Sequence, residues 1–251
     1  MSPDLAQFTG QVVVPRWDAP SAVRALVTTR HGGVSQGPYA GFNLGSRCGD
    51  EPAAVAANRA CLRTHLPAEP CWMQQVHGAG VRALPAGAGA EADATWTVEP
   101  GVVCVMLTAD CLPVLFCDRA GTRVAVAHAG WRGLAAGVLE ATVAALGLPG
   151  PELLAWLGPA IGQPAFEVGP EVRAVFLAHD AAAAQAFLPG REDRWHADLA
   201  QLARQRLAGV GLMAVSGGGP CTFAHPATFF SHRRDGRCGR MASLIWIDPT
   251  V

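Results

Sequence analysis

The segment GVVCVMLTADCLPVLFCDRAGTRVAVAHAGWRG, residues 101–133, carries the strongest structural signal in this chain. Two short apolar runs, Val102–Leu107 and Val124–Ala127, are rich in β-branched residues and are bounded by glycine or polar residues, which predicts two buried strands. A side chain that can bind a metal or do chemistry follows each run, Cys111 after the first and His128 after the second. Strands that end in such groups place an active site on a rigid support.

A third side chain of this kind lies upstream, where His77 precedes Gly78 at the end of another apolar stretch. We therefore predict that His77, Cys111 and His128 converge on one site. One cysteine and two histidines suit a borderline-soft metal such as zinc, and three protein ligands leave the fourth position open to water or substrate, as in catalytic zinc sites. Copper is the next metal to consider, but the chain has no His-x-His pair, so these residues offer at most one mononuclear site.

The same residues allow two other classes of function. Cys111 and His128 could form a thiolate–imidazole pair that attacks a carbonyl, with His77 as the orienting group, which would make the protein an acyl hydrolase or amidase. The chain could also be a binding module without catalysis, in which the glycine-rich turns are tight connections. Metal content separates the first two interpretations, because a metal-bound Cys111 is not free to attack a carbonyl.

The composition excludes several classes of protein. The 251 residues are 50% hydrophobic and 16% charged, as in a compact globular chain, and the net charge of −1 gives no electrostatic case for binding nucleic acid or an anionic membrane. The chain has no lysine, and all 19 Lys or Arg side chains are arginine, so neither a Schiff-base lysine nor the lysine of a Walker loop is available. No stretch approaches the roughly 20 apolar residues of a membrane span, and Met1–Pro20 lacks a secretory leader, which predicts a cytoplasmic protein.

Strand and helix patterns are interleaved with no obvious linker or repeat, which favours a single α/β domain over residues 1–251 with mixed sheets. No G-x-G-x-x-G follows a strand, so a Rossmann fold has little support. We predict Asp50 as the N-cap of the first helix, with Val55, Leu62 and Leu66 on its inner face. Besides the two central runs, the predicted strands are Val12–Val14, Val23–Thr29, Cys71–Val76, Val81–Leu84, Leu153–Leu157, Leu212–Val215 and Met241–Ile247, and the predicted helices are Pro52–His65, Gly133–Leu146, Pro170–His179 and Ala197–Ala208.

A glycine-rich loop follows the strand predicted over Val23–Thr29. Arg30 stands at the end of that strand and Gly32 and Gly33 follow it, an arrangement that can present a guanidinium and backbone N–H groups to an anion. An ordinary turn with a surface arginine is the alternative interpretation of this segment.

Six motifs, in order along the chain, resemble those of the YfiH-type family, whose members are called laccase-domain or polyphenol-oxidase-like proteins and purine nucleoside phosphorylases. The motifs are TTRHGGVSQGPYAGFNLG (28–45), QQVHG (74–78), TADCLPVLF (108–116), HAGWRG (128–133), LGPAIG (157–162) and FFSHRRDGRCGRMASLIW (229–246). The resemblance covers nearly the whole chain. It implies a layered α–β–β–α sandwich and one zinc ion held by His77, Cys111 and His128.

The resemblance also implies phosphorolysis of adenosine and inosine to the free base and ribose 1-phosphate. Adenosine deamination and phosphorolysis of methylthioadenosine are related activities of the family. Some relatives are described as peptidoglycan-editing factors that remove a wrong serine from a cell-wall precursor, and copper polyphenol oxidase is the older alternative. The expected partners are a small purine nucleoside and phosphate, bound by a monomer or homodimer.

Within that resemblance, we expect Arg30 and the N–H groups around Gly32 and Gly33 to hold phosphate near the ribose C1′. Zinc would stabilise negative charge on the departing base in phosphorolysis. In deamination, the water bound to zinc would attack the purine. Further candidates for the rim of the site, each with a structural alternative, are Asn43, Arg132, His232 and Arg234. Asp110 could either orient its neighbour Cys111 or cap the turn that follows.

Overall fold

The computed structural model describes residues 12–87 and 89–251 of the chain. Residues 1–11, on which part of the leader prediction rests, lie outside the described part. The strands are β1 Val12–Val13, β2 Val23–Thr28, β3 Val81–Ala83, β4 Ala94–Thr97, β5 Cys104–Thr108, β6 Leu112–Asp118, β7 Val124–Ala129, β8 Leu153–Leu157, β9 Glu167–Val168, β10 Phe187–Pro189, β11 Trp195–Ala197, β12 Val215–Gly217 and β13 Met241–Ile247. The α-helices are α1 Pro52–Arg63, α2 Trp131–Ala135, α3 Val138–Leu146, α4 Pro170–His179, α5 Leu199–Gly209 and α6 His232–Asp235.

Most of these strands belong to two larger sheets. In the first, the strand order is β1-β2-β13-β5 and every neighbouring pair is antiparallel. In the second, the order is β12-β8-β6-β7-β4-β3, with parallel pairs at both edges and antiparallel pairs between them. A small antiparallel sheet, β10-β11-β9, forms a separate ladder, and its Val168, Phe187 and Ala197 pack in the same apolar cluster as residues of the second sheet. The sheets are therefore mixed, as predicted.

The two larger sheets pack face to face and helices cover their outer faces. Between the sheets, Val27 and Ile245 of the first pack with Leu115 and Trp156 of the second. On the outer face of the first sheet, residues of β2, β5 and β13 pack against α1, and on the outer face of the second, residues of β6 and β7 pack against α3, α4 and α5. This layering confirms the predicted α–β–β–α sandwich.

The chain passes from one sheet to the other between β5 and β6. Strand β6 is not among the predicted strands, because its run contains Pro113 and shows no alternation of polar and apolar residues. All seven residues of β6 are buried: Leu112, Val114 and Phe116 face the helices, whereas Leu115 and Cys117 face the other sheet. Full burial of each large apolar side chain contributes roughly 1.5–3 kcal/mol, so this central strand anchors the segment that carries Cys111.

Two helix predictions need correction. Glu51, and not Asp50, is the N-cap of α1, because the Asp50 carboxylate instead accepts hydrogen bonds from Ser35 Oγ and Asn43 Nδ2. The helix predicted over Gly133–Leu146 is split into α2 and α3 at Gly137, whose φ of 91° lies outside the helical range. The buried inner face of α1, with Val55, Leu62 and Leu66, is confirmed.

Two strand predictions also fail. Cys71–Val76 is irregular apart from a single bridge between Gln74 and Glu91, and the strand predicted over Leu212–Val215 lies later, at β12. The strands near Val12, Val23, Val81, Leu153 and Met241 are confirmed, as are α4 and α5. Among the described helices, none has both the length and the apolar composition that a membrane span requires.

Candidate metal centre

His77, Cys111 and His128 meet at one place in the structure. The possible ligand atoms of the three side chains all lie within 4.8 Å of one another. The two imidazole rings are inclined at 77° with their centroids 4.7 Å apart. His128 is buried, Cys111 is partly buried and His77 is exposed, so the group opens to solvent on the side of His77.

Three separate elements deliver these side chains. Cys111 lies in the tight turn where the chain passes from β5 to β6, and His128 lies in β7, opposite Pro113 of β6. His128 alternates with the helix-facing residues Ala127 and Ala129, so it points into the layer between the sheets. His77 has a positive φ of 60° and lies in the irregular segment before β3.

The amide group of Gln75 attaches the His77 segment to the first sheet. Its Nε2 donates to the carbonyl of Leu107 and its Oε1 accepts from the N–H of Leu107, both at 2.8 Å. The side chain therefore pairs with the end of β5 as a neighbouring strand would. The segment that was predicted to be a strand is thus held in place through a side chain.

Asp93 connects two of the three predicted ligands. Its fully buried carboxylate accepts hydrogen bonds from the backbone N–H groups of Val76, His77 and Gly78 at 2.7–3.2 Å, and it lies 2.8 Å from Nδ1 of His128. A carboxylate bound to the second nitrogen of a metal-binding histidine fixes the orientation of its ring. Sequence reasoning missed Asp93, because its partners are 15 to 35 residues away and no local motif marks it.

Two glycines of the HAGWRG motif make room for this arrangement. A Cβ atom on Gly130 would lie 2.8 Å from Cys111 Sγ and 3.4 Å from His77 Cδ2. A Cβ atom on Gly133 would lie 2.8 Å from the carbonyl oxygen of Gly78. Neither position has room for a Cβ atom. The two glycines therefore allow the start of α2 to pack directly against the site.

The electrostatics favour a thiolate at Cys111. Burial alone would raise the pKa of this thiol, but the charge and hydrogen bond of His128, together with His77, lower it to about 6. Burial would lower the pKa of His128, but the Cys111 thiolate and Asp93 raise it to about 9. Burial would raise the pKa of Asp93, and hydrogen bonds from His128 and from backbone N–H groups lower it instead. At neutral pH these shifts favour a thiolate at Cys111 paired with a protonated His128, with the Asp93 carboxylate on the other side of the ring.

The other predicted residues occupy different surroundings. Arg30 stacks on Phe230 at 4.8 Å and donates to the carbonyls of Pro226 and Ala40, and exposed Arg132 stacks on Trp131 at 4.5 Å. Asn43 is fully buried, and its amide bonds to Asp50, to Gly45 and to the N–H of Arg240, which is the pattern of a structural residue. His232 and Arg234 bond within residues 222–236. The substrate-binding roles of Arg30, Asn43 and Arg132 stay predictions.

Comparison with known proteins agrees with the resemblance seen in the motifs. The family described as multi-copper polyphenol oxidoreductase laccase matches residues 24–248. A purine nucleoside phosphorylase of Pseudomonas aeruginosa is 57% identical over 94% of this chain and 98% of its own length, and the purine nucleoside phosphorylase YfiH of Escherichia coli is 54% identical over 94% and 99%.

Solved structures show the same fold. A crystal structure of a Neisseria meningitidis protein, 48% identical, covers 95% of this chain and 99% of that protein with a TM-score of 0.91. The structure of Bacillus licheniformis YfiH, 28% identical, covers 93% and 98% with a TM-score of 0.85. The sequence matches and the fold lead to one conclusion: this chain belongs to the laccase-like family that includes the YfiH proteins.

Proposed function

We propose that the chain is a zinc-dependent purine nucleoside phosphorylase that acts on adenosine or inosine. The observation that carries the proposal is the meeting of His77, Cys111 and His128 within 4.8 Å, on a side of the molecule open to solvent. Relatives that are 57% and 54% identical carry the name purine nucleoside phosphorylase, which supports the reaction class.

The donor set fits zinc. A thiolate and two imidazoles are typical zinc ligands, and three of them leave a position for water or substrate. Within residues 12–87 and 89–251, no other group of three His, Cys, Asp or Glu side chains has ligand atoms this close together. A multi-copper centre needs further clustered histidines, so a mononuclear zinc site is the better proposal. When bound, zinc would act as a Lewis acid that stabilises negative charge on the departing purine.

The protein's own residues would orient the reactants. Asp93 engages Nδ1 of His128, which leaves Nε2 as the nitrogen available to the metal. Arg30 would bind phosphate: stacking on Phe230 restrains its guanidinium, and its contacts with Pro226 and Ala40 use two of its five N–H donors. Exposed Arg132, two residues beyond Gly130, is the second candidate for an anionic group.

The test is product analysis with adenosine and phosphate, together with metal analysis. We expect about one zinc per chain and equal amounts of adenine and ribose 1-phosphate. Cys111→Ala should lose both the metal and turnover while the fold persists, whereas Cys61→Ala, which changes an exposed cysteine of α1, should retain both. Phosphorolysis by metal-free Cys111→Ala would contradict the proposal. Methylthioadenosine as substrate, and ammonia release from adenosine, test the related activities.

A second candidate function rests on a chain of contacts in which Cys111 is bonded to His128 and His128 is bonded to Asp93. A thiol of lowered pKa, a histidine and a carboxylate bonded to that histidine's other nitrogen form the arrangement of a thiol hydrolase. Its substrate would be the amide bond of a serine-containing cell-wall precursor. This candidate is favoured if the purified protein contains no metal, if alkylation of Cys111 abolishes amide hydrolysis, and if adenosine with phosphate gives no products.

A further inference from the structure

Asp110, the residue before Cys111, has an unusual backbone and a buried carboxylate. Its φ is 89°, in a region that non-glycine residues rarely adopt, and only 8% of its surface is exposed. Such a conformation persists only where the surroundings hold it, and it is most common beside functional sites. The contacts of Asp110 identify what holds it.

Asp110 joins three segments of the chain. Its Oδ1 accepts the hydroxyl of Thr222 and its Oδ2 accepts the backbone N–H of Arg233, each at 2.6 Å. Its carbonyl oxygen accepts the N–H of Ile161 at 2.9 Å. Arg233 is the second residue of α6, whose N-cap is Ser231, so the carboxylate accepts an additional N–H from the first turn of that distant helix and does not cap the turn that follows Asp110.

The segment from Thr222 to Arg233, which we call the anchored segment, also holds Arg30. The carbonyl of Pro226 accepts from the Arg30 guanidinium and the carbonyl of Thr228 accepts from the Arg30 N–H, both at 2.9 Å. The ring of Phe230, in the same segment, lies under the guanidinium. Arg234, the residue that follows this segment, holds it together by donating to the carbonyls of residues 222, 223 and 229.

We propose that Asp110 is a positioning residue that fixes Cys111 relative to Arg30. Few contacts connect Cys111 to Arg30. Cys111 follows Asp110 directly, and the Asp110 carboxylate is hydrogen-bonded to both ends of the anchored segment. The middle of that segment accepts a hydrogen bond from the Arg30 guanidinium. Asp110 therefore sets the separation between the metal ligand and the arginine that would bind phosphate. This inference rests on the proposed function for the role of Arg30, whereas its effect on Cys111 concerns metal binding alone.

Three substitutions distinguish the effect of losing the Asp110 carboxylate from the effect of straining its backbone. Asp110→Gly removes the carboxylate and tolerates the positive φ; Asp110→Ala removes the carboxylate and strains the backbone; Asp110→Asn keeps the shape, the φ tolerance and two polar atoms. We expect Asp110→Gly to bind zinc about 10- to 100-fold more weakly in chelator competition, and to raise the KM for phosphate by a larger factor than the KM for adenosine. Asp110→Asn should stay close to the wild type.

Asp118 supplies a matched control. It is also a buried aspartate that accepts a threonine hydroxyl at 2.6 Å and backbone N–H groups, but it lies at the other end of β6, roughly 20 Å away. Asp118→Gly should lower the melting temperature without changing zinc affinity or the KM for phosphate. A merely structural role for Asp110 predicts the same result for Asp110→Gly, so that result would overturn the inference.

Three further outcomes test the inference. If Asp110→Ala loses zinc affinity but Asp110→Gly retains it, strain explains the effect and the inference is wrong. If Asp110→Gly does not fold, Thr222→Val removes one of the two carboxylate contacts, and an unchanged zinc affinity and phosphate KM in that variant would equally refute the inference. If the wild type binds zinc but forms no ribose 1-phosphate, the proposed function fails, and zinc affinity alone decides the role of Asp110.

Discussion

Gly130 shows how little space the site leaves. A methyl group there would lie 2.8 Å from Cys111 Sγ, closer than real Cβ atoms approach a sulfur, while the Gly130 backbone itself is ordinary with a φ of −65°. We expect Gly130→Ala to fold and to lose most of its zinc affinity, because the sulfur must move. Gly209→Ala, where an added methyl meets no other atom within 4 Å, should bind zinc normally in the same chelator titration. Wild-type affinity in Gly130→Ala would mean that Cys111 is not a ligand.

If Cys111 and His128 bind a metal as proposed, their coupled protonation should determine the pH dependence of that binding. Between the two pKa values, about 6 and about 9, the metal-free site holds a thiolate and a protonated imidazole, and a metal must displace that one proton. Zinc affinity should therefore rise about tenfold per pH unit across this range and level off above it. Competition titrations at several pH values measure the slope, and an affinity independent of pH between 6 and 9 would contradict it.

The chemistry of the site could be predicted at the residue scale only where a local pattern marks it. His77, Cys111 and His128 each stand beside a glycine-containing or proline-containing turn after an apolar run, and that pattern predicted the three side chains that meet in the structure. Asp93 and Gln75 have no such mark, because the partners of Asp93 and Gln75 are 15 to 35 residues away and become neighbours only in the folded sheets.

At the scale of elements, Gly137 separates α2 from α3. Its φ of 91° is costly for any residue with a Cβ atom, although an added methyl would meet its neighbours only at ordinary distances of 3.5 Å or more. Gly137→Ala should therefore lower the free energy of unfolding by about 1–2 kcal/mol, measured by urea denaturation. Gly209→Ala, in α5 at an ordinary φ, should not destabilise the protein. An undiminished free energy of unfolding in Gly137→Ala would mean that the two helices can merge.

Elements were predictable where hydrophobic periodicity is unambiguous, as in α4 and β13, whose predicted bounds agree with the structure. Periodicity failed for β6, which is buried on both faces and therefore shows no alternation. Periodicity also failed for residues 71–76. Cys71 and Met73 pack against the core, but a single bridge between Gln74 and Glu91 is the only strand-type pairing described for this backbone. Tertiary packing determines the secondary structure of such segments, and the local sequence pattern does not show which distant residues they pack against.

At the scale of the whole molecule, the metal should stabilise the fold. Its three predicted ligands come from segments that are far apart in sequence, so the unfolded chain would have no preformed site. Zinc at 100 times its Kd would then add about 2.7 kcal/mol to the free energy of unfolding. We expect a chelator to lower the melting temperature of the wild type and to leave that of Cys111→Ala unchanged. An equal effect of zinc on both proteins would show that the stabilisation arises elsewhere.

The position of β13 has a consequence for biosynthesis. This strand, the last along the described chain, lies between β2 and β5 and is the sole partner of β5 within that sheet. A ribosome-bound chain that has not yet released residues 241–247 therefore leaves β5, and with it the turn that delivers the thiolate, without its sheet. We therefore expect the three side chains to become able to bind a metal only after this strand has been translated, so that a chaperone or metal donor would meet a chain that already contains residues 241–247.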